Sequence, residues 1–289
     1  MSKLQTLGYY NGSYGSLEEM TVPMTDRACY FGDGVYDASY SRNYKIFALD
    51  EHIDRFFDSA AALELKLEQS KEELGGVLNE MMRKMDSGEC FVYWQATRGA
   101  ALRGHAYPDP PRRANLWIML RPAGVMPLDR RLKLITAEDT RYLHCNIKTL
   151  NLLVNCMAAE RAKRAGADEA VFHRGGRVTE GTSKNCHIIK DGVFITAPTD
   201  HLILAGVARA HLLRACAALG IPTEVRPFTL EELFAAHEVV MSSAGCFGLA
   251  AECIDGRPVG GNAPELLARL HRYLWDEFIA ETELGSAAT

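Results

Sequence analysis

Lys148 is the first residue whose chemistry asks for an explanation. Eighteen positions lie between Arg141 and Glu160, and Lys148 carries the only formally charged side chain among them. A chain that is 24% charged would place about four there. A lone ammonium in such a stretch reads in two ways. Its stem can lie along apolar surface with the head in water. Alternatively it is a functional amine, kept available as a nucleophile or base.

Other residues offer complementary chemistry. "LAGVARAHLL" sets Gly206, Val207 and Ala208 at a predicted helix N-terminus, where free N–H groups and the helix dipole suit a phosphate. Many helices simply begin with glycine. "MSSAG" adds the hydroxyls of Ser242 and Ser243 beyond a strand, or else makes a polar turn. Arg55 falls off the apolar stripe of its helix and could pair with the same anion or stay solvated. In "RVTEGTSKN", Glu180 ends a short strand, as a turn carboxylate or as the partner of a protonated ring nitrogen. "QATRGAALRGHAYPD" gathers Arg98, Arg103 and His105 in a Gly- and Ala-rich loop. Such a loop suits a carboxylate substrate, because Arg presents a bidentate fork; a plain surface loop would look the same. An amine, a phosphate seat and a ring-nitrogen acid together are what pyridoxal phosphate requires.

These residues need elements to position them. "GYYNGSYG" predicts a hairpin turning at Asn11-Gly12. "GVYDASYSRNYKIFALD" predicts two strands joined near Arg42-Asn43. Ile53, Phe56, Phe57, Ala60 and Leu63 share one helical face, and Leu74, Val77, Leu78, Met81, Met82 and Met85 share another. "CFVYWQATRG" and "ANLWIMLRP" read as strands, so residues 1–120 form a smaller α+β domain. "RPAGVMP" is the linker, taken as 121–127. In the larger domain, 128–289, "RLKLITA" is a strand and "TLNLLVNCMAAERAKRAGA" a helix ending near Gly166. A strand meander follows, turning at Gly175-Gly176 and Asp191-Gly192. "AGVARAHLLRACAALG" is a helix, "TLEEL" carries a capping box of Thr229 with Glu232, and "ECIDGRPVG" is a hairpin on Asp255-Gly256. Strands and helices alternate without a regular β-α-β rhythm. The expectation is a mixed, barrel-like sheet with helices outside.

Composition narrows the function classes. The 289 residues are 47% hydrophobic, enough for one large core or two smaller ones, and the net charge of -5 has no basic surplus for nucleic acid or anionic membrane. No apolar run approaches the roughly 20 residues of a membrane span. The opening residues have no signal-like apolar core. The eight cysteines show no C-x-x-C pair and the histidines no H-E-x-x-H. Reduced thiols in the cytoplasm and no metal site are expected.

The motifs "DRACYFGDGVYD", "DEHIDRFFDSA", "IKTLNLL", "VTEGTSKN", "LILAGVAR" and "MSSAG…IDG", in this order over about residues 8–275, resemble the class IV aminotransferases of pyridoxal-phosphate fold type IV. The "RGH" loop and the tyrosine of "GVYD" are most similar to the branch acting on D-amino acids. The resemblance implies a Schiff base on Lys148, Glu180 on the pyridinium nitrogen, and Arg55, Gly206, Val207, Ala208, Ser242 and Ser243 around the phosphate. Leu204 would pack on the ring. Tyr36, Arg103 and His105 would trap the substrate carboxylate, beside Ser243 and Ala244. Arg103 and His105 would come from the neighbouring subunit of a homodimer. The implied reaction moves the amino group of D-alanine, D-glutamate or D-aspartate to a 2-oxo acid such as 2-oxoglutarate. Branched-chain L-aminotransferase and aminodeoxychorismate lyase chemistry are the alternatives within the family, and cofactor binding without turnover is the alternative outside it. The sequence departs from the family pattern at three places. Ala208 stands where Thr is common, Ser242-Ser243-Ala244 replaces a Thr-rich run, and Asp37 follows Tyr36 where Glu is common.

Overall fold

The structure, a computed structural model, describes residues 5–283; the first four residues of the opening stretch lie outside them. It is mixed α/β, with seven helices and fifteen strands among the described residues. Contacts divide the chain into two compact units. One takes the N-terminal part to Gly124, the pentapeptide Ile147–Asn151 and the chain from Phe278; the other takes Val125–Asn146 and Leu152–Glu277.

The first unit is built on six antiparallel strands. These are β1 (Leu7–Tyr10), β2 (Ser13–Gly15), β3 (Gly34–Arg42), β4 (Lys45–Ile46), β5 (Cys90–Thr97) and β6 (Asn115–Pro122), in the order β2-β1-β6-β5-β3-β4. Asn11 and Gly12 both take positive φ, as the predicted hairpin turn demands. The short helix α1 (Arg27–Phe31) precedes β3, and α2 (Leu49–Ala62) and α3 (Lys71–Lys84) follow β4. Ile53, Phe56 and Ala60 of α2 are buried with Leu74, Leu78, Met81, Met82 and Met85, while Phe57, Leu63 and Val77 pack at the margin. The two apolar stripes are therefore core. A capping box of Ser70 with Glu73 starts α3.

The second unit is a strand barrel. Its wall is made by β7 (Leu132–Glu138), β8 (Glu169–Arg174), β9 (Arg177–Gly181), β10 (Asn185–Lys190), β13 (Glu238–Ser243) and β14 (Cys246–Ile254). They run β10-β13-β14-β7-β8-β9, and the ring closes where Glu180 of β9 pairs with Asn185 of β10. β11 (Val193–Thr196) and β12 (Thr223–Val225) extend from β10, and β15 (Arg257–Pro258) pairs with β14. The helices are α4 (Leu153–Arg164), α5 (Val207–Ala218), α6 (Leu230–Phe234) and α7 (Pro264–Glu281), the last ending among residues grouped with the first unit. α6 carries the expected Thr229–Glu232 box.

One expectation changes. The helix read from Thr149 starts only at Leu153. Thr149 instead bridges Val35, Tyr36 N donates to Lys148 O (3.0 Å), and Leu150 N donates to Gly34 O (3.1 Å). Pairing with β3 consumes the backbone groups that a first helical turn would need.

Candidate active site

In the first unit the candidate site centres on β3. Alternation along the strand turns Asp37 inward beneath α2 and Tyr36 to the other face. Tyr36 stacks on Tyr93, with ring centroids 5.5 Å apart. The Lys148 ammonium lies 4.4 Å from the Tyr36 ring centre, a cation–π contact, and makes no ion pair among the described residues. Its own peptide N–H donates to Ser59 Oγ (3.2 Å). The amine is thus held on both sides by backbone hydrogen bonds, while its charged end meets a ring and not a carboxylate.

Arg55 is fixed by a residue that the sequence reading marked only as a departure. Its Nε donates to Asp37 Oδ2 (2.9 Å) and its Nη2 to Asp37 Oδ1 (2.8 Å). His52 Nδ1 lies 2.7 Å from the same carboxylate. Burial alone would push the Asp37 carboxyl up, but the charges and hydrogen bonds of Arg55 and His52 outweigh it and hold it well below the usual range. Burial lowers His52, against the pull of Asp37 and with help from the Arg55 and Lys148 charges. Because the folded Asp37 is depressed, its contribution is full above about pH 4, the ordinary Asp value, and is lost as pH falls toward the folded value. Asp37→Asn should cost roughly 1.5–3 kcal/mol at pH 7 and remove this acid-sensitive component. Urea unfolding at pH 7 and pH 3 checks it; an unchanged pH dependence would refute the assignment.

Arg103 and His105 sit exposed on the loop after β5, each over Phe31, with Arg103 Cζ 5.2 Å and the His105 centroid 5.4 Å from that ring. Arg27 anchors the loop by donating to Gly104 O (2.7 Å), with its Nε on Asp33 (2.7 Å). Arg98, one of the three basic residues of that pattern in the sequence, is buried structure. It binds Asp33 and the carbonyl of Leu63 (2.7 Å). No hydrogen bond or ring contact among the described residues joins Tyr36 to Arg103 or His105.

In the second unit Glu180 is buried at the closure of the barrel. Its Oε1 accepts from Arg141 Nη1 (2.6 Å), and its Oε2 accepts from Asn185 Nδ2 and from Leu204 N (3.0 Å each). Arg141 in turn forks onto Asp139, through Nε to Oδ1 and Nη2 to Oδ2 (2.9 Å each), and lies on the Phe172 ring. Burial opposes both charges. Even so, the Asp139 hydrogen bonds and the Glu180 charge push the guanidinium up, and the Arg141 contacts hold the Asp139 carboxyl down. The acid is therefore one end of a charged line, Glu180–Arg141–Asp139, which favours its ionised form.

Asn185 also shapes the head of α5. Its Nδ2 donates to Leu204 O (2.9 Å), and its Oδ1 lies where a Cβ on Gly206 would be. Glycine is required there by close approach. Gly206 caps α5 with no side-chain hydrogen bond, so the N–H groups of Val207 and Ala208 have no helical partner. Leu204 is half-buried, with its backbone tied to Glu180 and Asn185. Ser242 Oγ is 2.8 Å from His187 Nε2, and Ser243 Oγ is 3.3 Å from Cys246 Sγ; Ala244 follows, half-buried. Asp37, Arg141, Asn185 and His187 were not singled out as site residues in the sequence. Asp139-Thr140-Arg141, a charged pair at the edge of the apolar Lys148 stretch, was the available signal for one of them.

The profile of the family described as Amino-transferase class IV matches residues 34–250. The chain belongs to this family. As a class IV aminotransferase it is 39% identical over 267 residues to the D-alanine aminotransferase of Listeria monocytogenes serotype 4b, covering 91% of this chain and 92% of the relative. It is 36% identical over 277 residues to the D-alanine aminotransferase of Bacillus licheniformis, covering 94% and 97%. Among solved structures it superposes on the T.th. branched-chain amino acid aminotransferase complexed with N-(5'-phosphopyridoxyl)-L-glutamate. There the TM-score is 0.86 at 26% identity, over 97% of this aminotransferase and 95% of that chain. The branched-chain enzyme of Escherichia coli, at 22% identity with a TM-score of 0.87 over 98% of each chain, shares the fold.

Proposed function

We propose that this aminotransferase is a pyridoxal-phosphate-dependent D-amino acid transaminase. The observation that carries the cofactor reading is the set of donors around Glu180: a buried carboxylate that accepts from Arg141, Asn185 and Leu204 N. The rest of the chemistry fits the same group. Lys148 offers an amine with no carboxylate partner among the described residues. Val207 and Ala208 offer N–H groups at a helix N-terminus without a side-chain cap, where a dianion is favoured. Lys148, Glu180, Arg55, Leu204, Gly206, Val207, Ala208, Ser242 and Ser243 would hold the cofactor. Bound there, pyridoxal phosphate supplies an aldehyde to take up the amino group and a ring to absorb the electron pair freed at the substrate α-carbon.

The chain's own groups do the rest. Glu180 would accept the hydrogen of the ring nitrogen and so keep it protonated. Arg141, which donates to Glu180, would stop Glu180 from taking that proton for itself. Lys148 Nζ removes the proton from the α-carbon and later returns a proton. Kinetics are ping-pong, with a 2-oxo acid such as 2-oxoglutarate completing the cycle.

D-selectivity is supported by D-alanine aminotransferases at 36–39% identity, against 22–27% for the branched-chain structures. Tyr36, Arg103 and His105 would bind the substrate carboxylate beside Ser243 and Ala244. Because Arg103 and His105 lie exposed over Phe31, we assign them to the site of a second copy, so that the homodimer completes catalysis. Eight cysteines free of disulfides suit a reducing, cytoplasmic setting.

Two measurements test this. A panel of D- and L-amino acids with 2-oxoglutarate should give D-glutamate from D-alanine. Preference for L-leucine would favour the branched-chain alternative, pyruvate from aminodeoxychorismate without an acceptor would favour the lyase, and no turnover would favour a binding protein. Arg103→Ala should raise KM for D-alanine roughly 30-fold or more with a much smaller change in kcat. An unchanged KM would remove Arg103 from the substrate site.

A further inference from the structure

A polar row crosses three adjacent strands, β10 and β13 of the barrel wall and β11 beside them. Thr196 on β11 lies opposite His187 on β10, and Ser242 on β13 lies opposite Asn185, two residues before His187. The intervening Cys186, Ile188, Ile195, Val239 and Met241 enter the barrel core, so the polar row faces the other way. Arg209, in the first turn of α5, reaches this row. Its Nε donates to Thr196 Oγ1 (3.1 Å) and its Nη2 to Ala197 O (2.9 Å). His187 Nδ1 is 2.8 Å from Thr196 Oγ1, and its Nε2 is 2.8 Å from Ser242 Oγ. Thr196, His187, Ser242 and Arg209 are all buried.

The direction of every hydrogen in this line follows from its first member. Arg can only donate, so Thr196 Oγ1 accepts from it. The Thr196 hydroxyl hydrogen has one acceptor among the described residues, His187 Nδ1. A buried hydroxyl that failed to donate there would forfeit its hydrogen bond. Nδ1 is then the bare nitrogen and Nε2 carries the ring proton. Burial, aided by the Arg209 charge, pushes His187 down to about 3, so the ring stays neutral. Nε2–H must donate to Ser242 Oγ. Ser242's own hydrogen is left over, with no acceptor among the described residues. The cross-strand neighbour of Ser242 is Asn185, whose amide oxygen abuts Gly206 at the head of α5.

We propose that His187 is a positioning residue. Held as the Nε2–H tautomer by Arg209 and Thr196, it makes Ser242 a committed hydrogen-bond donor toward the cofactor phosphate at the head of α5. The opposite polarity would turn the Ser242 hydrogen inward and present lone pairs to a dianion. The proposal rests on the reading of α5 as the phosphate seat, and it adds that the donor sense of Ser242 is set from the buried side.

The test has a spectroscopic and a binding arm. The 15N shifts of His187 in full-length labelled protein should show a neutral ring protonated at Nε2; protonation at Nδ1 overturns the proposal whatever the cofactor does. In the binding arm, the dissociation constant for pyridoxal phosphate is measured by fluorescence titration. His187→Gln places an amide donor where Nε2 was and should bind within about twofold of wild type. His187→Asn sets its amide one bond short and should bind about tenfold more weakly. Its effect should not add to that of Ser242→Ala. Equal loss in the Gln and Asn variants, or none in either, overturns the inference and leaves the seat standing. A wild type that does not bind pyridoxal phosphate overturns the seat and the inference with it.

Discussion

Lys148→Ala should abolish transamination while leaving the fold unchanged. Side-chain proton transfer alone contributes about 10²–10⁴-fold, and the substitution also removes the nucleophile. The expected loss in kcat is therefore at least about 10³-fold. Borohydride treatment should fix pyridoxal phosphate covalently to wild type and not to the variant. Stability should move by less than about 0.5 kcal/mol beyond the cofactor's own contribution, because among the described residues the ammonium meets the Tyr36 ring and holds no buried carboxylate. The anchoring contacts, Tyr36 N to Lys148 O and Lys148 N to Ser59, belong to the backbone or to Ser59 and survive. Retained turnover would end the account, since no other proposed residue offers an amine. Ammonia or methylamine should restore a fraction of the activity if what is missing is the base.

The same residue shows what a sequence can and cannot disclose. Lys148 was conspicuous because its neighbours are apolar, and the class IV motifs gave it a role. The stripes of α2 and α3 were readable because burial on one helical face imposes a 3.6-residue period. The turns at Asn11-Gly12, Gly175-Gly176, Asp191-Gly192 and Asp255-Gly256 were readable because they require positive φ, which Gly, Asn and Asp accept most readily. The conformation of Lys148 itself was not. "TLNLLVNCMAAE" has helical composition throughout, but its first residues satisfy their backbone on β3, more than a hundred positions earlier in the chain. Tertiary pairing overrode propensity. The sequence reading omits helix α7, although Leu267, Leu270, Leu274 and Phe278 keep a helical period and are buried.

The supporting polar residues were hidden for a different reason. Arg141 acquires meaning only through Glu180, 39 positions away, and Asp37 through Arg55, 18 positions away. Hydrogen-bond partners at such separations leave no local period or spacing. A family motif marks the residue that touches the ligand, while the residue that fixes its charge can lie outside every motif. Asp37 was noticed only as a change from Glu. The structure gives the change a physical content, since the shorter carboxylate, wholly buried, still reaches both His52 and Arg55.

Arg141→Met should be the most damaging change away from the amine. It removes the cation that two buried carboxylates share, and breaking a buried ion pair by deleting one partner costs about 3–5 kcal/mol. Asp139 would keep its Thr179 hydrogen bond (3.0 Å) and the Arg174 guanidinium at 3.3 Å, while Glu180 would keep Asn185 and Leu204 N. Both would lose the guanidinium that now donates to each of them at 2.6–2.9 Å. The deficit should depend on pH with a definite sign. Wild-type Asp139 is depressed in the fold, so its stabilisation is complete above about pH 4 and declines as pH falls toward the folded value. In the variant a buried carboxylate that has lost the Arg141 charge titrates upward and regains its proton on acidification. The difference in unfolding free energy should thus be largest near pH 7 and narrow toward pH 4. Adding Asp139→Asn should recover part of the loss, since it removes one of the two carboxylates that shared the Arg141 charge. Activity should fall further than stability requires. Glu180 without Arg141 competes with the ring nitrogen for its proton, and the ring then absorbs charge less well. Urea unfolding at pH 7, 5.5 and 4, with kcat measured on the folded fraction, separates the two effects. A pH-independent deficit would mean that Arg141 acts by packing on Phe172 and not by charge. Normal kcat on the folded fraction would mean that Glu180 needs no partner to do its work.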